Sequence, residues 1–179
     1  MDKQYLFDSE RLLFKTWGEE DIKNATQLWG DNEVTEYIGG PFSLHKIEDR
    51  LRLEMDNQVK YRIQYWPLYL KGDDEFIGCC GLRPYKDETT VVELGFHLRK
   101  NYWRKGYASE AAQRVLDYSF NDLKMKKVFA GHNPKNGGSR SALLKLGFRY
   151  VRDEYYPPTG LYHPSYELEQ SEYKNILGK

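Results

Sequence analysis

The chain has 179 residues, enough for one domain with a proper hydrophobic core, and we expect a single domain over residues 1–179. Its 27 basic and 27 acidic residues cancel, so it lacks the net basic field typical of proteins that bind nucleic acids or membrane surfaces. Its apolar runs are too short to span a bilayer and its polar start is unlike a signal peptide, which favours a cytoplasmic protein. The adjacent Cys79 and Cys80 cannot link distant segments, so we expect buried thiols and no metal site.

The first half of the chain predicts a strand, several helical segments and a hairpin. Ser43 is placed to cap a helix on which Ile47, Leu51 and Met55 share one face, with charges between them. Lys71-Gly72-Asp73-Asp74 is typical of a turn between two strands. The expected elements are a strand at 11–17, a helix at 19–29, a helical turn at 34–38, a helix at 43–58 and strands at 61–70 and 75–82.

The second half alternates strands and helices. Gly147 is suited to ending the last predicted helix, because glycine adopts the left-handed conformation easily. The expected elements are a strand at 90–98, a helix from 107 to about 120, a strand at 127–132, a helix at 139–146 and strands at 148–152 and 162–169. The whole order predicts an α/β domain around a mixed, twisted sheet of about six to seven strands with about four helices.

A basic, glycine-containing turn joins the strand expected at 90–98 to the helix expected from 107. The first amides of a helix have no internal partners and lie at the positive end of its dipole. Gly106 lets the backbone approach an anion, Ala108 keeps bulk away, and Arg104 and Lys105 add positive charge. This turn is therefore predicted to bind a pyrophosphate.

Four sequence blocks carry a resemblance to a known family. They are residues 9–12 with 20–21 and 28–31, residues 76–82, residues 93–98 with 103–111, and residues 136–139 with 145–148. In this order, over roughly residues 9 to 150, the chain resembles the GNAT superfamily of acetyl-CoA-dependent N-acetyltransferases and its RimJ/RimL-like branch. Two departures stand out: Trp103 begins the basic loop where many members have Gln or Arg, and Leu143 lies where many have a tyrosine that protonates the leaving thiolate.

The resemblance implies that acetyl-CoA is the co-substrate and that an amine attacks its thioester directly in a ternary complex. Main-chain N–H groups near residues 96–98 are then expected to stabilise the carbonyl oxygen, at a bulge that Gly95 would suit. The expected cofactor-binding residues are Phe96, His97, Leu98, Arg104, Lys105, Gly106, Tyr107, Ala108, Asn136 and Ser139.

Candidate catalytic residues follow from the need to deprotonate the amine and protonate the thiolate. Glu93, on the cofactor strand, is the first candidate for the base, and His97 and His132 are further ones. The alternative for Glu93 is a structural glutamate held by an arginine. Ser139 or Tyr107 is the candidate acid, although a CoA thiolate leaves tolerably without strong help. Glu110 is expected to complement the helix N-terminus rather than to act as a base.

The acceptor is predicted from amine basicity. An N-terminal α-amine has a pKa of roughly 7.7–8.0 and a lysine side chain about 10.4, so at neutral pH the lysine carries a penalty of about 3 pK units, or about 4 kcal/mol. A weak base therefore favours the α-amine of a protein or peptide. The rivals are a small-molecule acetylase for a polyamine, amino acid or aminoglycoside, and a non-catalytic CoA-binding sensor. A homodimer is left open, and a nucleic-acid module is disfavoured by the neutral charge.

Overall fold

The computed structural model describes residues 5–177 of the chain. The strands are β1 (Phe7–Asp8), β2 (Leu12–Phe14), β3 (Tyr65–Leu70), β4 (Phe76–Pro84), β5 (Val91–Leu98), β6 (Lys127–Gly131), β7 (Arg149–Tyr156) and β8 (Leu161–Glu169). The α-helices are α1 (Ile22–Trp29), α2 (Asn32–Thr35), α3 (Leu44–Tyr61), α4 (Tyr107–Asp117), α5 (Gly137–Lys145) and α6 (Gln170–Leu177). None of the helices in this described part combines the length and apolarity that crossing a bilayer requires.

All of these strands form one mixed sheet, in the order β1-β2-β3-β4-β5-β6-β8-β7. Every neighbouring pair is antiparallel except β5 and β6, which are parallel. The predicted α/β class and mixed sheet are confirmed. Within residues 5–177 the sheet has 8 strands and there are 6 α-helices, slightly more than expected, because the short β1 and the C-terminal α6 carry little pattern of their own. The helical turn expected at 34–38 corresponds to the single-turn α2 and the 3-10 turn that follows it.

Helices cover both faces of the sheet, and the side chains of the strands alternate between two cores. Trp66 and Leu68 of β3 point to the face that carries α4, whereas Tyr65 and Tyr69 point to the face that carries α1 and α3. The adjacent thiols divide in the same way: Cys80 belongs to the first core and Cys79 to the second, and both are fully buried. Their expected role in core packing is confirmed.

Two predicted strands are shorter than expected because tertiary contacts end them. The strand expected from residue 61 begins at Tyr65, because α3 continues to Tyr61 and Arg62 then ends it with a φ of 60°. The strand expected over 11–17 stops at Phe14. Beyond it, the backbone N–H of Trp17 donates to the side chain of Gln64 at 2.9 Å rather than to a strand neighbour.

Candidate functional site

The main cleft of the molecule opens where β5 and β6 separate. The two strands pair only along residues 91–93 of β5 and 127–129 of β6, while the rest of β5 follows β4 alone. The opening has a volume of about 1000 Å³ and is lined by residues from β5, the loop before α4, the start of α4, α5 and the β7–β8 hairpin. The parallel pairing, which ends early, therefore creates the space in which a ligand can lie along β5.

Two backbone amides of β5 turn towards this cleft. The N–H of Arg99 donates to the carbonyl of Ile77 in β4 at 2.9 Å, and antiparallel pairing alternates from residue to residue. The N–H groups of Phe96 and Leu98 therefore lie on the edge facing away from β4, whereas the N–H of His97 faces β4. The prediction of a bulge at Gly95 is wrong. Residues 78–84 of β4 pair with residues 92–98 of β5 without a register shift, so it is the divergence of β6 that leaves this edge of β5 open.

The basic loop leads from β5 to α4 in the predicted place. The Trp103 indole donates to the carbonyl of Leu98 at 2.6 Å, which anchors the beginning of the loop to the end of the strand. Arg104 and Gly106 both have positive φ values, 59° and 82°. Glu110 makes the first helical hydrogen bond, to the carbonyl of Gly106. The preceding amides of α4 thus have no helical partner, and they border the cleft.

The side chains of the loop differ in where they lie. Arg104, Tyr107 and Ala108 line the cleft, whereas Lys105 is not part of its lining. The Lys105 ammonium lies over the ring of Tyr102, 5.6 Å from its centroid, so its charge acts from outside the opening.

Glu110 connects the N-terminal strands to the start of α4. Its carboxylate accepts hydrogen bonds from the Ser9 hydroxyl at 2.7 Å, the Arg11 amide at 2.7 Å and the Arg11 guanidinium at 2.6 Å. The same guanidinium donates to the carbonyl of Lys105 at 3.1 Å and lies 4.4 Å from the Tyr107 ring centroid. Burial raises the pKa of Glu110, but these hydrogen bonds outweigh it and hold the pKa below its usual value. The Glu110 carboxylate is thus an ionised group that fixes residues 9–11 to the first turn of α4.

Glu93 lies at the point where β5 and β6 part, directly opposite Arg83 in β4 and Phe129 in β6. Within residues 5–177 its carboxylate has no hydrogen bond and no ion pair. Burial is the main cause that raises its pKa; the charge of Glu154 acts in the same direction, and Arg83 and Arg50 oppose them. The carboxylate lines the cleft. Glu93 is therefore a carboxylate with a raised pKa that is open to a ligand in the cleft.

Arg83 is held by a different acid. Glu54, which is fully buried on α3, accepts from Arg83 Nη2 at 2.6 Å, from Arg50 Nε at 2.8 Å and from the amide of Tyr65 at 2.7 Å. Burial raises the pKa of Glu54, but the two guanidinium groups outweigh it and keep the carboxyl ionised. The arginine that the sequence would assign to Glu93 is thus already engaged.

Neither candidate histidine offers a free ring lone pair to the cleft. The Trp29 indole donates to Nδ1 of His97 at 3.2 Å, so the remaining nitrogen carries the proton in the neutral ring. Burial, together with Arg50 and Arg83, lowers the pKa of His97 well below its usual value. His132 donates from Nδ1 to the carbonyl of Asn133 at 2.8 Å, and its Nε2 lies 3.3 Å from the Tyr166 hydroxyl. Neither ring has a lone pair that faces the cleft unpartnered.

Helix α5 borders the cleft on the opposite side. The Asn136 side chain caps it by accepting from the amide of Ser139 at 3.0 Å, which leaves the Asn136 amide nitrogen and the Ser139 hydroxyl without a protein hydrogen bond among the described residues. Both residues line the cleft, and so does Leu143, which is buried and supplies no hydroxyl.

Arg50 and Arg83, which line the cleft, were not predicted as site residues from the sequence. Arg50 was taken as one of the charges on the helix at 43–58, and Arg83 lies just after the strand expected at 75–82. One signal was available, since Glu54 follows Ile47 and Leu51 on the apolar face of α3, and a glutamate buried there requires cationic partners. Which arginines supply them depends on the sheet and is not encoded locally.

Comparison with known proteins agrees with the geometry. A family model described as an acetyltransferase (GNAT) domain matches residues 11–149. The uncharacterized N-acetyltransferase p20 of Bacillus licheniformis is 33% identical over 143 residues, which cover 79% of this chain and 80% of that protein.

Two solved structures share the fold. RimL, a ribosomal L7/L12 alpha-N-protein acetyltransferase, has a TM-score of 0.79 and 12% identity, covering 93% of this chain and 94% of that one. Spermidine N-acetyltransferase from Vibrio cholerae, in complex with CoA and spermine, has a TM-score of 0.76 and 18% identity, covering 92% and 98%.

The open edge of β5, the free amides at the start of α4 and the glycine-shaped loop between them suit a thioester arm and a pyrophosphate. Acetyl-CoA, which such enzymes use, supplies an activated acetyl group. The family match covers most of the chain and includes all of these elements. This chain belongs to the GNAT family of acetyltransferases and is an acetyl-CoA-dependent N-acyltransferase.

Proposed function

We propose that this enzyme transfers the acetyl group to a primary amine of low pKa, with the N-terminal α-amine of a protein or peptide as the favoured acceptor, by direct attack in a ternary complex. The observation that carries the proposal is Glu93: a carboxylate with no protein partner in the described chain, bordering the cleft beside the open edge of β5. A ternary complex needs such a group to receive the proton of the amine.

The cofactor half of the proposal rests on backbone. The amides at the start of α4, with Gly106 and Arg104 before them, would hold the pyrophosphate. The cleft-facing N–H groups of Phe96 and Leu98 would donate to the carbonyl oxygen as it gains charge. Asn136 and Ser139 would contact the pantetheine arm from α5. In this arrangement His97 contributes its side chain to the lining.

The acceptor half rests on Glu93 as the base. Its raised pKa makes it a better proton acceptor than an ordinary surface glutamate. An amine that loses its proton at little cost near neutral pH matches such a base, which is the reason for favouring an α-amine. The fold does not decide this choice, since RimL and the spermidine enzyme share it.

The release of the thiol rests on small groups. The Ser139 hydroxyl lines the cleft without a protein hydrogen bond in the described part, and Leu143 leaves no tyrosine beside it. Ser139 would therefore protonate the thiolate, directly or through water.

The test is thiol release from acetyl-CoA with a panel of peptides, lysine analogues and polyamines. We expect turnover with α-amines, and kcat/KM should exceed that for lysine side chains when both are compared at neutral pH. Cofactor binding with no turnover on any amine would instead identify a CoA-binding sensor and would overturn the proposal.

A further inference from the structure

The end of the cleft beside Glu93 holds more guanidinium hydrogen-bond donors than the described residues use. We call the residues Arg50, Tyr65, Arg83, Glu93 and Tyr156, which all line the cleft, the Glu93 end. The guanidinium carbons of Arg83 and Arg50 lie 4.4 and 5.2 Å from the Tyr65 ring centroid, so both cations face the same small region. Glu54 is their only ion-pair partner within the described residues.

The hydrogen bonds of these two cations are incomplete. Glu54 accepts one bond from each guanidinium, through Arg50 Nε and Arg83 Nη2. Among the described residues, the buried atoms Arg50 Nη2 and Arg83 Nε have no acceptor. Burying a charged donor without a partner is costly. Both side chains keep some exposed surface in the cleft, 25% for Arg83 and 13% for Arg50, and this surface is where an anionic ligand would bind. Glu54 pairs with both guanidinium groups through one bond each, and Glu93 beside them forms no ion pair, so guanidinium donors remain for a carboxylate of the ligand.

We infer that the acceptor carries a carboxylate within a few bonds of its amine, and that Arg83, with Arg50 beside it, binds this carboxylate while Glu93 faces the amine. This inference rests on the proposed function. Arg83 and Glu93 are directly opposite each other in β4 and β5, so their side chains leave the sheet on the same face, with Cβ atoms about 4.5–5.5 Å apart. An amine and a carboxylate close together in one molecule match this side-by-side pair.

The carboxylate has two sources with the same chemistry. It is either the side chain of an acidic first residue in a peptide or the α-carboxylate of a free amino acid. A polyamine lacks it and would bring its second cation against Arg83. The guanidinium fork suits a carboxylate, because it donates two parallel hydrogen bonds in one plane.

The test compares matched acceptors on the wild-type enzyme. A peptide that begins with Asp is measured against the same peptide beginning with Asn, a free amino acid against its amide, and spermidine beside them. Because a neighbouring carboxylate raises the pKa of an amine, kcat/KM is expressed per unprotonated amine, and we expect it to be about tenfold to a hundredfold higher for each carboxylate than for its amide. The larger of the two ratios identifies the source. Equal values for acid and amide in both pairs, or a preference for spermidine, would overturn the inference.

A pair of variants tests whether Arg83 provides the preference. In Arg83→Gln the acid-to-amide ratio should fall close to one. Arg52→Gln is the control, because Arg52 lies on α3 with Arg50 but is 72% exposed and lies 3.6 Å from Asp49. It should keep the wild-type ratio. An unchanged ratio in a folded Arg83→Gln would contradict the assignment, and the wild-type comparison still decides if that variant does not fold.

Failure of the inference and failure of the proposed function give different results. Equal turnover of acids and amides keeps the acetyltransferase and removes the carboxylate site. If no amine is acetylated, the proposed function fails, and calorimetry with CoA present decides the inference. The Asp peptide should then still bind more tightly than the Asn peptide, and equal binding would overturn the site.

Discussion

The hydroxyl of Tyr65 occupies the place where a side chain on Gly95 would begin. A Cβ atom built on Gly95 would lie 2.1 Å from that hydroxyl oxygen, far inside contact distance. The Tyr65 ring cannot retreat, because it is buried and lies against Arg50 and Arg83. Position 95 therefore requires glycine, because Tyr65 of β3 reaches across Gly81 of β4 to the floor of the cleft.

The first prediction is that Gly95→Ala destabilises the fold by about 1–3 kcal/mol, since a rigid Cβ meets a rigid ring. Denaturant unfolding measures the change. The matched control is Gly131→Ala on β6, where the nearest atom would be 3.7 Å away, an ordinary contact. This control should change the free energy of unfolding by less than about 0.5 kcal/mol. Similar small losses in both variants would mean that Tyr65 can move.

The second prediction concerns the loop before α4. Gly106→Val should raise the KM for acetyl-CoA at least about tenfold, because Gly106 has a φ of 82° and a branched side chain would both strain the loop and cover the amides. Steady-state kinetics with varied acetyl-CoA measures it.

Gly72→Val is the control for strain alone. Gly72 has a φ of 104° in the β3–β4 turn, and a Cβ there would meet no atom within 4 Å. It should lose stability with an unchanged KM. If Gly106→Val also left KM unchanged, the pyrophosphate would have to lie elsewhere.

The third prediction is that Glu93→Gln lowers kcat/KM and removes the part of its acidic decline that belongs to Glu93, leaving the part due to protonation of the α-amine itself. The base must be ionised, so wild-type activity should fall as pH decreases through the raised pKa of Glu93, above the usual 4.5. A pH–rate profile on an α-amine peptide measures this. A variant profile that matches wild type would remove Glu93 as the base.

The same substitution has an opposite effect on stability. Because burial raises the pKa of Glu93 in the folded state, its stabilising contribution is present at low pH and is lost as pH rises through that pKa. Glu93→Gln should therefore be at least as stable as wild type at neutral pH. A variant that was both inactive and clearly less stable would indicate a structural role instead.

The fourth prediction is that Glu110→Gln costs about 1–2 kcal/mol of stability near neutral pH, because it weakens the bonds from Ser9 and Arg11. The folded pKa of Glu110 is lowered, so its contribution is present above about pH 4.5 and is lost as pH falls through the folded value. Thermal unfolding across pH measures the difference, which should shrink in acid. If the difference in stability between wild type and Glu110→Gln did not depend on pH, the charge of Glu110 would not be what stabilises the contact with Ser9 and Arg11.

The fifth prediction separates chemistry from capping on α5. Ser139→Ala should lower kcat several-fold, about 2–10, with little change in stability, because the cap uses the Ser139 amide and not its hydroxyl. Asn136→Ala is the contrast and should cost about 1 kcal/mol by removing the cap acceptor. An unchanged kcat in Ser139→Ala would show that the thiolate leaves without this hydroxyl.

The sequence by itself determined the elements that depend on neighbouring residues. Ser43 caps α3 as predicted, the basic loop precedes α4, and Gly147 ends the segment after α5 with a φ of 88°. These features arise from local backbone preferences, which a short stretch of sequence carries in full. The family's motifs lie in the same stretches, so the acetyltransferase class followed from them and is confirmed.

Only the tertiary structure decided the charges around Glu93. Glu54 and Arg83 are 29 positions apart and meet because α3 packs against the sheet. Arg83 therefore pairs with Glu54, although Glu93 lies directly opposite it in the neighbouring strand. The pairing of β3, β4 and β5 likewise brings Tyr65 against Gly95, 30 positions away. Ion pairs and steric exclusions between distant segments depend on how the layers stack, and no periodicity along the chain records that.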